Sequence, residues 1–369
     1  MKPAILHVIT TIDRGGAENH LLQLASAQAQ MGHEVTITYL KGNADLKENF
    51  LSAGVKIISG GSNFFSQYLK IHKLARSGRY QIIHAHLPQA ELACLGIRNH
   101  FISRHNTEPF VPRVPLWFSS LIARVCTYQS TVIAISNAVK IYTQENKMIT
   151  SNSPISVVYY GINDASFNLN NFNKIKWRKE NLHFGIEEFI FGTVSRLVPQ
   201  KDLTTLISAF SRIAGKRNCK LIIIGDGVQK VELQALVASL NLKDKVIFLG
   251  KRNDIPEFLK SIDAFVLTSK YEGLGLVLLE ALSAEVPIIA AFNSAIKEIV
   301  NEKVAHIFET SSVDALEKAM LDLIDFPDEA KQRAERGKIR VQQNFGVDLM
   351  LEGTEKLYLS SLALNQEQP

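Results

Sequence analysis

The chain has 369 residues, of which 46% are hydrophobic and 21% are charged, and its formal net charge is +5. This composition excludes disordered, collagenous and disulfide-rich classes and is typical of a globular protein, and the length favours two domains over one. The three cysteines are scattered without a CxxC pair, which indicates a reducing, cytoplasmic setting. We expect neither a signal peptide nor a transmembrane helix, because no uncharged apolar run reaches about 18 residues.

Positive charge is concentrated in the first part of the chain. The first 170 residues contain 15 Lys and Arg against 9 Asp and Glu, whereas the remainder is close to neutral. The asymmetry predicts a surface that meets phosphate or anionic lipid, and a merely solvated basic face explains it equally well.

Short apolar runs alternate with amphipathic stretches, such as 17–31 and 68–77, along the whole chain. Continuous apolar strands separated by helices are typical of a parallel sheet covered on both faces, so the pattern predicts two doubly wound α/β domains. The predicted strands are 4–9, 34–39, 55–59, 81–85, 101–104, 131–136 and 155–159 in the first half, and 189–194, 220–225, 246–249, 264–268, 287–291 and 306–308 in the second.

The domain boundary is expected in the segment 163–188, which is rich in Asn and Lys and has little periodicity. We therefore assign residues 1–165 to the first domain and residues 185–346 to the second. Two doubly wound domains facing each other create a cleft, and ligands of such sheets bind beyond the carboxyl ends of the strands. Functional residues should accordingly come directly after strands.

In the first half, Gly16 lies in the segment DRGGAE, directly after the first predicted strand. The double glycine would let the backbone approach a ligand where a helix begins, although a glycine that only permits close packing is the commoner case. His84, His86 and His105 come at the ends of two later strands. Three histidines could bind a metal, but no helical H-x3-H pair accompanies them, and buried structural histidines are the usual alternative.

In the second half, Arg196 ends the strand 189–194 and Lys201 opens the next helix. Two cations at the mouth of a sheet can hold a diphosphate, the arginine through bidentate contacts and the lysine as a point charge. Solvated cations are the common alternative for such residues.

The most informative segment is 271–282, with the sequence YEGLGLVLLEAL. It places Glu272 between the strand 264–268 and an apolar helix that contains Glu280. A glutamate pair at one fixed spacing occurs about once by chance in a chain of this length, so the order of strand, glycine turn and helix carries the signal.

The turn in this segment predicts an anion site. The backbone N–H groups of Leu274, Gly275 and Leu276 open the helix and point towards a ligand, and the glycines, Gly273 among them, permit close approach. A phosphate bound there would have one carboxylate ahead of it and another two helical turns behind. That arrangement suits a sugar nucleotide.

In their order along the chain, these segments resemble the retaining GT-B glycosyltransferases of family 4, of the bacterial polysaccharide and lipopolysaccharide type. The signature of that family is E-x7-E, and Glu272 and Glu280 resemble it, with seven residues between them. The resemblance implies two Rossmann-like domains facing across a cleft, the first binding the acceptor and the second the nucleotide sugar. It also implies that the C-terminal helix, about 347–369, packs back on the N-terminal domain.

The resemblance further implies roles for single residues. Glu272 would hold sugar hydroxyls and Glu280 the ribose hydroxyls, while Arg196 and Lys201 would bind the phosphates of the donor. His105 would contact the donor sugar or the charge that develops at the reaction centre.

The remaining residues expected to bind the donor are glycines and a basic pair. Gly16 would lie near the phosphates, Gly225 beneath the nucleotide, and Lys251 with Arg252 at the base. The alternative for Gly225 and the basic pair is a glycine turn that ends a strand and binds no ligand.

Some loop positions depart from the pattern of the family. Ser195, Asp202 and Glu285 stand where the family usually has glycine, and Val277 lies near its usual proline. These departures concern the shape of loops rather than chemistry, and they leave a non-catalytic GT-B scaffold as an alternative. A sugar-nucleotide epimerase of the same fold is a second alternative, which would need acid and base carboxylates.

The expected reaction moves a hexose or N-acetylhexosamine from a nucleotide sugar, a UDP-sugar in our reading, to a glycan or lipid-linked saccharide. The sequence contains no Asp-x-Asp, so we expect metal-independent, electrostatic stabilisation of the leaving group and no cofactor. Nucleic acid is not an expected partner.

A surface in the first half could rest on an anionic membrane, which would place the protein at the inner face of the cytoplasmic membrane. The segment 110–118 mixes aromatic residues with a cation, and solvated lysines over buried aromatics are the alternative. A second cluster comprises Phe64, Phe65, Lys70, Lys73, Arg76 and Arg79.

Overall fold

The computed structural model describes residues 2–59, 63–182, 187–293 and 295–366. The chain divides into two compact units, an N-terminal unit of Met1–Gly161 with Phe345–Pro369 and a C-terminal unit of Ile162–Asn344. The N-terminal unit therefore takes its last helix from the end of the chain.

Each unit contains one sheet, and the strand pairs of both sheets are parallel. All of the predicted strands are present, with ends shifted by no more than two residues. The strands are β1 (Ile5–Ile9), β2 (Val35–Tyr39), β3 (Lys56–Ser59), β4 (Ile82–His86), β5 (His100–Arg104), β6 (Ser130–Ala134) and β7 (Ile155–Val157) in the N-terminal unit, and β8 (Phe189–Val194), β9 (Cys219–Ile224), β10 (Val246–Gly250), β11 (Ala264–Leu267), β12 (Ile288–Ala291) and β13 (His306–Phe308) in the C-terminal unit.

Helices connect the strands in both units. Within the described ranges, no helix combines the length and the apolar character that crossing a membrane requires. The helices are α1 (Gly16–Gln30), α2 (Lys47–Ser52), α3 (Phe64–Arg76), α4 (Pro88–Ala93), α5 (Leu116–Cys126), α6 (Asn137–Glu145), α7 (Lys174–Asn181), α8 (Leu203–Ala214), α9 (Lys230–Ser239), α10 (Ile255–Ser261), α11 (Leu276–Ser283), α12 (Ile296–Ile299), α13 (Val313–Asp325), α14 (Pro327–Asn344) and α15 (Val347–Gln366).

The strand order confirms the prediction of two doubly wound sheets. The N-terminal sheet runs β3-β2-β1-β4-β5-β6-β7 and the C-terminal sheet runs β10-β9-β8-β11-β12-β13. In each sheet the chain adds strands first on one side and then on the other, with the change between β1 and β4 and between β8 and β11. Ligands of such sheets bind beyond the strand ends at this switch point, so the loops after these four strands are where a site is to be sought.

The segment 163–188 differs from the predicted irregular connection. Its described part forms a 3-10 turn at Asp164–Phe167 and the helix α7, both in the C-terminal unit. The α7 residue Arg178 is buried and donates to Asp263 Oδ2 at 2.6 Å and to the carbonyl of Ser261 at 2.6 Å. An ion pair rather than an apolar stripe anchors this helix, so hydrophobic periodicity gave no sign of it.

The C-terminal helix α15 belongs to the N-terminal unit, where it contacts α1. Tyr358 of α15 is fully buried, with its ring 4.7 Å from that of Phe101 on β5. This helix therefore closes one face of the N-terminal sheet over an apolar layer.

Candidate active site

The loops that follow β8 and β9 pack against each other backbone to backbone. Gly225 has φ +134°, and a Cβ there would lie 1.8 Å from the carbonyl oxygen of Ser195. A Cβ at Gly227 would lie 2.4 Å from the carbonyl oxygen of Leu197. Glycine is thus required at both positions by the close approach of the loop that carries Arg196, and the structure gives Gly225 a supporting role for that loop.

Lys201 and Glu272 form an ion pair at the end of the C-terminal sheet. The Nζ of Lys201 lies 2.5 Å from Oε1 of Glu272, and the two side chains are only 12% and 8% exposed. The carbonyl of Lys201 accepts a hydrogen bond from the hydroxyl of Thr268, 2.7 Å away, at the end of β11. Lys201, which was predicted to bind phosphate, and Glu272, which was predicted to bind the sugar, are therefore in direct contact.

Arg196 is exposed beside this pair. Its guanidinium donates to Gln200 Oε1 at 3.1 Å, and Gln200 Nε2 donates to the carbonyl of Tyr271 at 2.9 Å. Gln200 thereby links the arginine loop to the residue before Glu272. The loops after β8 and β11 thus bring the predicted residues Arg196, Lys201 and Glu272 together.

Helix α11 begins at Leu276, one or two residues later than the sequence suggested. Gly275 is its N-cap with φ +97°, and no side chain caps the helix. The first-turn N–H groups of α11 are thus left without a side-chain acceptor, and the residues 273–276 form the turn that leads to them.

Glu280 lies in the second turn of α11, half-buried, and within the described part of the chain its carboxyl group has no hydrogen bond or ion pair. Burial raises the pKa of Glu280 to about 7. A carboxyl group in this state can accept hydrogen bonds from ligand hydroxyl groups without displacing a protein partner.

The two basic residues after β10 differ in their surroundings. Lys251 is exposed. Arg252 donates to Asp254 Oδ1 at 2.7 Å and to Asn181 Oδ1 at 3.1 Å, and its guanidinium lies 5.5 Å from the ring centre of Trp177. Since these contacts occupy the Arg252 side chain, its main structural role is to hold the loop.

Two positions where the family usually has glycine adopt the left-handed conformation. Asp202 has φ +50° and Glu285 has φ +59°. Asp202 lies between the 3-10 turn Pro199–Lys201 and α8, so Lys201 precedes the helix rather than opening it. Each residue is held by its side chain, since Ser311 Oγ donates to Asp202 Oδ2 at 2.6 Å and Lys338 Nζ lies 3.2 Å from Glu285 Oε2. These departures from the family pattern therefore preserve the backbone shape that glycine would give.

In the N-terminal unit, Gly16 opens α1 with free space in front of it. A Cβ at Gly16 would meet nothing within 4 Å, whereas a Cβ at Gly15 would lie 2.3 Å from the carboxylate of Glu18. Close packing therefore does not explain Gly16, and the contact at Gly15 is only with the end of a flexible side chain.

The histidines predicted to follow strands lie partly within them. His84 and His86 are buried inside β4 rather than after it, because the strand continues one residue further than predicted. Only His105 follows its strand, and it is half-exposed. Their ring nitrogens have protein partners, with His84 between Tyr358 and Ser103 at 2.7 and 2.8 Å.

Sequence reasoning missed several polar residues next to these histidines. The alternation of side chains along a strand could have identified His7, because it places His7 on the same sheet face as the buried Ile5 and Ile9. In the structure His7 is in register with His84. The residues missed are His7, His20, Gln28, Tyr160 and Tyr358.

A metal could take one nitrogen from each of His7, His84 and His86, whose candidate ligand atoms lie within 4.8 Å of one another. The ring nitrogens of His7 are already paired with His86 at 3.0 Å and with Gln28 at 2.8 Å. A metal would have to break these bonds in a buried site without a carboxylate ligand, so the donor set fits a hydrogen-bonded network better.

The segment 110–118 is only partly exposed, which corrects one expectation. Phe110 is 4% exposed, because its ring packs beneath the guanidinium of Arg104 at 4.8 Å. Arg104 in turn pairs with the buried Glu91 at 2.8 Å, and burial raises the pKa of Glu91 to about 7. Trp117 is exposed, at 71%.

Two family models match this chain. Residues 14–166 match Glycosyltransferase Family 4 and residues 173–340 match Glycosyl transferases group 1. The chain belongs to the family 4 glycosyltransferases, with the GT-B fold, and it is a glycosyltransferase.

The similar proteins agree with this assignment. N-acetyl-alpha-D-glucosaminyl L-malate synthase of Bacillus anthracis is 24% identical over 304 residues, 79% of this chain and 78% of that protein. UDP-Gal:alpha-D-GlcNAc-diphosphoundecaprenol alpha-1,3-galactosyltransferase of Escherichia coli is 27% identical over 274 residues, 70% of each. The crystal structure of Anabaena HepE in complex with UDP-glucose has a TM-score of 0.86 at 20% identity, over 97% of this chain and 100% of that chain.

Proposed function

We propose that this glycosyltransferase moves a hexose or N-acetylhexosamine from a UDP-sugar to a glycan or a lipid-linked saccharide, with retention of anomeric configuration. The observation that carries the proposal is the ion pair of Lys201 and Glu272 beside Arg196 at the switch point of the C-terminal sheet. The UDP-glucose of HepE and the UDP-galactose donor named for the Escherichia coli relative support the choice of nucleotide.

The ion pair would exchange partners when the donor binds. A diphosphate attracts Lys201 more strongly than a single carboxylate does, since it offers more charge and more acceptor oxygens. Lys201 and Arg196 would then hold the phosphates, together with the first N–H groups of α11. Glu272, released from Lys201, would accept hydrogen bonds from hydroxyl groups of the sugar, and Glu280 from those of the ribose.

Stabilisation of the leaving UDP would rest on fixed charges. Arg196, Lys201 and the α11 N–H groups supply positive charge where the phosphate gains negative charge, which lowers the barrier without a metal ion. In the retaining reaction the acceptor hydroxyl attacks from the face that the nucleotide leaves, and the departing phosphate takes its proton. We propose that His105 forms a hydrogen bond to the transferred sugar.

The test is incubation of the purified protein with radiolabelled UDP-sugars, with and without a membrane extract as acceptor source, in buffer and in excess EDTA. Transfer to an acceptor that persists in EDTA is the expected result. Isomerisation of the nucleotide sugar would indicate an epimerase, and binding without turnover a scaffold. Loss of transfer in EDTA with recovery on addition of manganese would contradict metal independence.

We also propose that helix α5 rests on an anionic membrane that carries the acceptor. Its buried face consists of small or polar residues such as Ser119 and Ala123, while its exposed face is apolar, the reverse of an ordinary surface helix. Arg124 is exposed on the same helix. The exposed apolar residues of the helix are Leu116, Trp117, Phe118, Leu121 and Val125.

Co-sedimentation with liposomes tests this surface. The protein should bind vesicles that contain anionic lipid and should be released by salt, because screening weakens the attraction of its cations. Trp117→Ser with Leu121→Ser should reduce binding, and Ile339→Ser, at an exposed apolar residue of α14, serves as the control. If the protein stays in the supernatant equally with neutral and with anionic vesicles at low salt, the membrane surface is rejected and the acceptor is soluble.

A further inference from the structure

A continuous chain of hydrogen bonds crosses the interior of the N-terminal unit, passes through His105 and ends at Tyr160. It links helix α15 to α1, then to strands β1 and β4, and finally to the residues after β5 and β7. We call it the histidine chain, and its members in order are Glu355, Gln28, His7, His86, His105 and Tyr160.

The direction of the first bonds follows from the chemistry of a carboxylate. Glu355 Oε1 accepts a hydrogen bond, so the amide nitrogen of Gln28, 3.4 Å away, must donate. The carbonyl oxygen of Gln28 then faces His7 Nε2 at 2.8 Å, and this nitrogen must carry a proton. Burial lowers the pKa of His7 to about 4, so its ring is neutral and its Nδ1 is an acceptor.

The same reasoning passes along the next two rings. His7 Nδ1 lies 3.0 Å from His86 Nε2, which must therefore be the donor. Burial lowers the pKa of His86 well below its usual value, so its Nδ1 is bare and accepts from His105 Nε2 at 3.4 Å. His105 is neutral for the same reason, and its Nδ1 accepts from the hydroxyl group of Tyr160 at 2.6 Å.

Tyr160 is itself held firmly. It is 4% exposed, and its ring stacks on that of His20 with centroids 4.1 Å apart and planes at 23°. The next residue, Gly161, packs so closely against α15 that a Cβ would lie 2.6 Å from the Cα of Val347. Both the ring and the backbone of this tyrosine are therefore fixed, as a group that orients another side chain requires.

We propose that the histidine chain fixes His105 as the tautomer with its proton on Nε2, and that Tyr160 is the positioning residue that aims this N–H group at the transferred sugar. The inference rests on the proposed role of His105. The bond from His105 to Tyr160 is short, whereas its bond to His86 is long, so a sugar hydroxyl would replace His86 while Tyr160 stays in place. His7 and His86 are fully buried, and His105 is the half-exposed member that a substrate can reach.

The decisive variant is Tyr160→Phe, with Tyr358→Phe as its matched control. Both tyrosines are buried and each bonds one histidine, but Tyr358 bonds His84, which lies outside the chain. Its other side-chain partner is Gln28, which two histidine rings separate from His105. Tyr160→Phe should lower kcat about tenfold, the worth of one hydrogen bond realised in the transition state. Its KM for the donor and its affinity for UDP should stay within about twofold, and Tyr358→Phe should leave kcat within about twofold of the parent.

Nitrogen-15 NMR of the histidine rings gives a readout that does not depend on activity. In the parent protein His105 should show the Nε2–H tautomer with a hydrogen-bonded Nδ1. In Tyr160→Phe the proton should stay on Nε2, because His86 still accepts it, while the Nδ1 resonance should shift to that of a nitrogen without a hydrogen bond. A parent His105 with its proton on Nδ1 would overturn the proposal, even if the variant does not fold. Equal kcat losses in the two tyrosine variants, or an unchanged kcat in Tyr160→Phe, would overturn it as well.

The transferase activity and the positioning role of Tyr160 can be tested separately. If the parent transfers sugar from none of the UDP-sugars, the proposed function fails, and the NMR spectrum still decides whether His105 has a fixed tautomer. If the parent is active and only the tyrosine comparison fails, the positioning role is wrong and the transferase assignment stands.

Discussion

In the N-terminal unit, the polar side chains along β1 and β4 are buried and hydrogen-bonded to one another. In the C-terminal unit, the polar side chains after β8 and β11 are charged, and two of them, Lys201 and Glu272, form an ion pair. In the proposed function, the donor diphosphate opens this pair. The C-terminal sheet has the same order as the first six strands of the N-terminal sheet, so topology does not cause this difference.

The difference shows two ways of preparing a site on one fold. A closed network such as the histidine chain holds its members in one geometry, because every bond lost inside the protein costs more than it would in water. A nearly buried ion pair leaves each ion in need of a counter-charge, so it can exchange partners only with a group that offers at least as much charge. We therefore expect the N-terminal unit to orient groups and the C-terminal unit to bind charge.

Lowering the pH should produce the largest difference in stability between the two units. Burial lowers the pKa of His7 to about 4 and of His105 to about 3, and it lowers the pKa of His20, His84 and His86 well below the usual value. The unfolded chain binds these protons more readily, so the stability that these histidines contribute to the N-terminal unit is complete above about pH 6.5 and falls as the pH drops towards about 4. The loss approaches about 1.4 kcal/mol per histidine and pH unit, or several kcal/mol at pH 5.5.

The C-terminal unit serves as the internal control for this prediction. Burial raises the pKa of Glu280 to about 7, so its contribution to stability is complete below about pH 4.5 and is lost as the pH rises through about 7. Urea unfolding at pH 7.5 and 5.5, followed by pulse-labelling hydrogen exchange at one common pH, reports each unit through its own peptides. Peptides of β1 and β4 that unfold at the same urea concentration at both pH values would contradict a neutral, buried histidine chain.

Removing the exposed cation tests the charge-binding unit. Arg196→Ala should weaken UDP binding by about 2 kcal/mol, because it removes a charge-assisted contact to phosphate. Lys201→Ala should do the same, with an added loss of stability because Glu272 stays buried without its cation. Calorimetric titration with UDP measures the effect, and Lys243→Ala, at another exposed lysine of this unit, is the control. Parental UDP affinity in both variants would place the phosphate elsewhere.

The two glutamates should differ in what they bind. Glu280→Gln should weaken binding of UDP about tenfold, the worth of a hydrogen bond from a ribose hydroxyl to a charged acceptor. Glu272→Gln should leave UDP affinity unchanged or raise it, since Lys201 no longer has a carboxylate partner, and should lower turnover. Titration of both variants with UDP distinguishes these roles. Equal losses of UDP affinity would reject the assignment of Glu280 to the ribose and Glu272 to the sugar.

The smallest expected effect isolates backbone strain. Glu285 has φ +59°, a conformation that costs about 1 kcal/mol in residues other than glycine. Glu285→Ala removes the ion pair with Lys338 and keeps the strain, whereas Glu285→Gly removes both. The glycine variant should therefore exceed the alanine variant by about 1 kcal/mol in free energy of unfolding, less the entropy that glycine loses on folding. A less stable glycine variant would show that this position carries no strain.

The amino-acid sequence by itself determined the strands, their parallel arrangement and the charged loops of the C-terminal unit. Apolar runs of four to six residues specify buried strands through local composition. That Arg196, Lys201 and Glu272 approach one another was predictable because each lies in a loop that follows a strand, β8 for the two cations and β11 for the glutamate. The left-handed conformations of Asp202 and Glu285 agree with the glycines that the family has there.

Only the tertiary structure decided the interior of the N-terminal unit. Gln28, Tyr160 and Glu355 are far apart along the chain, and only folding brings Gln28 to His7, Glu355 to Gln28 and Tyr160 to His105. A histidine inside an apolar strand looks the same in the sequence whether its nitrogens are paired or not, and its tautomer depends on partners that folding supplies. The orientation of α5 was hidden for the same reason, since an apolar helical stripe does not reveal which face the protein core covers.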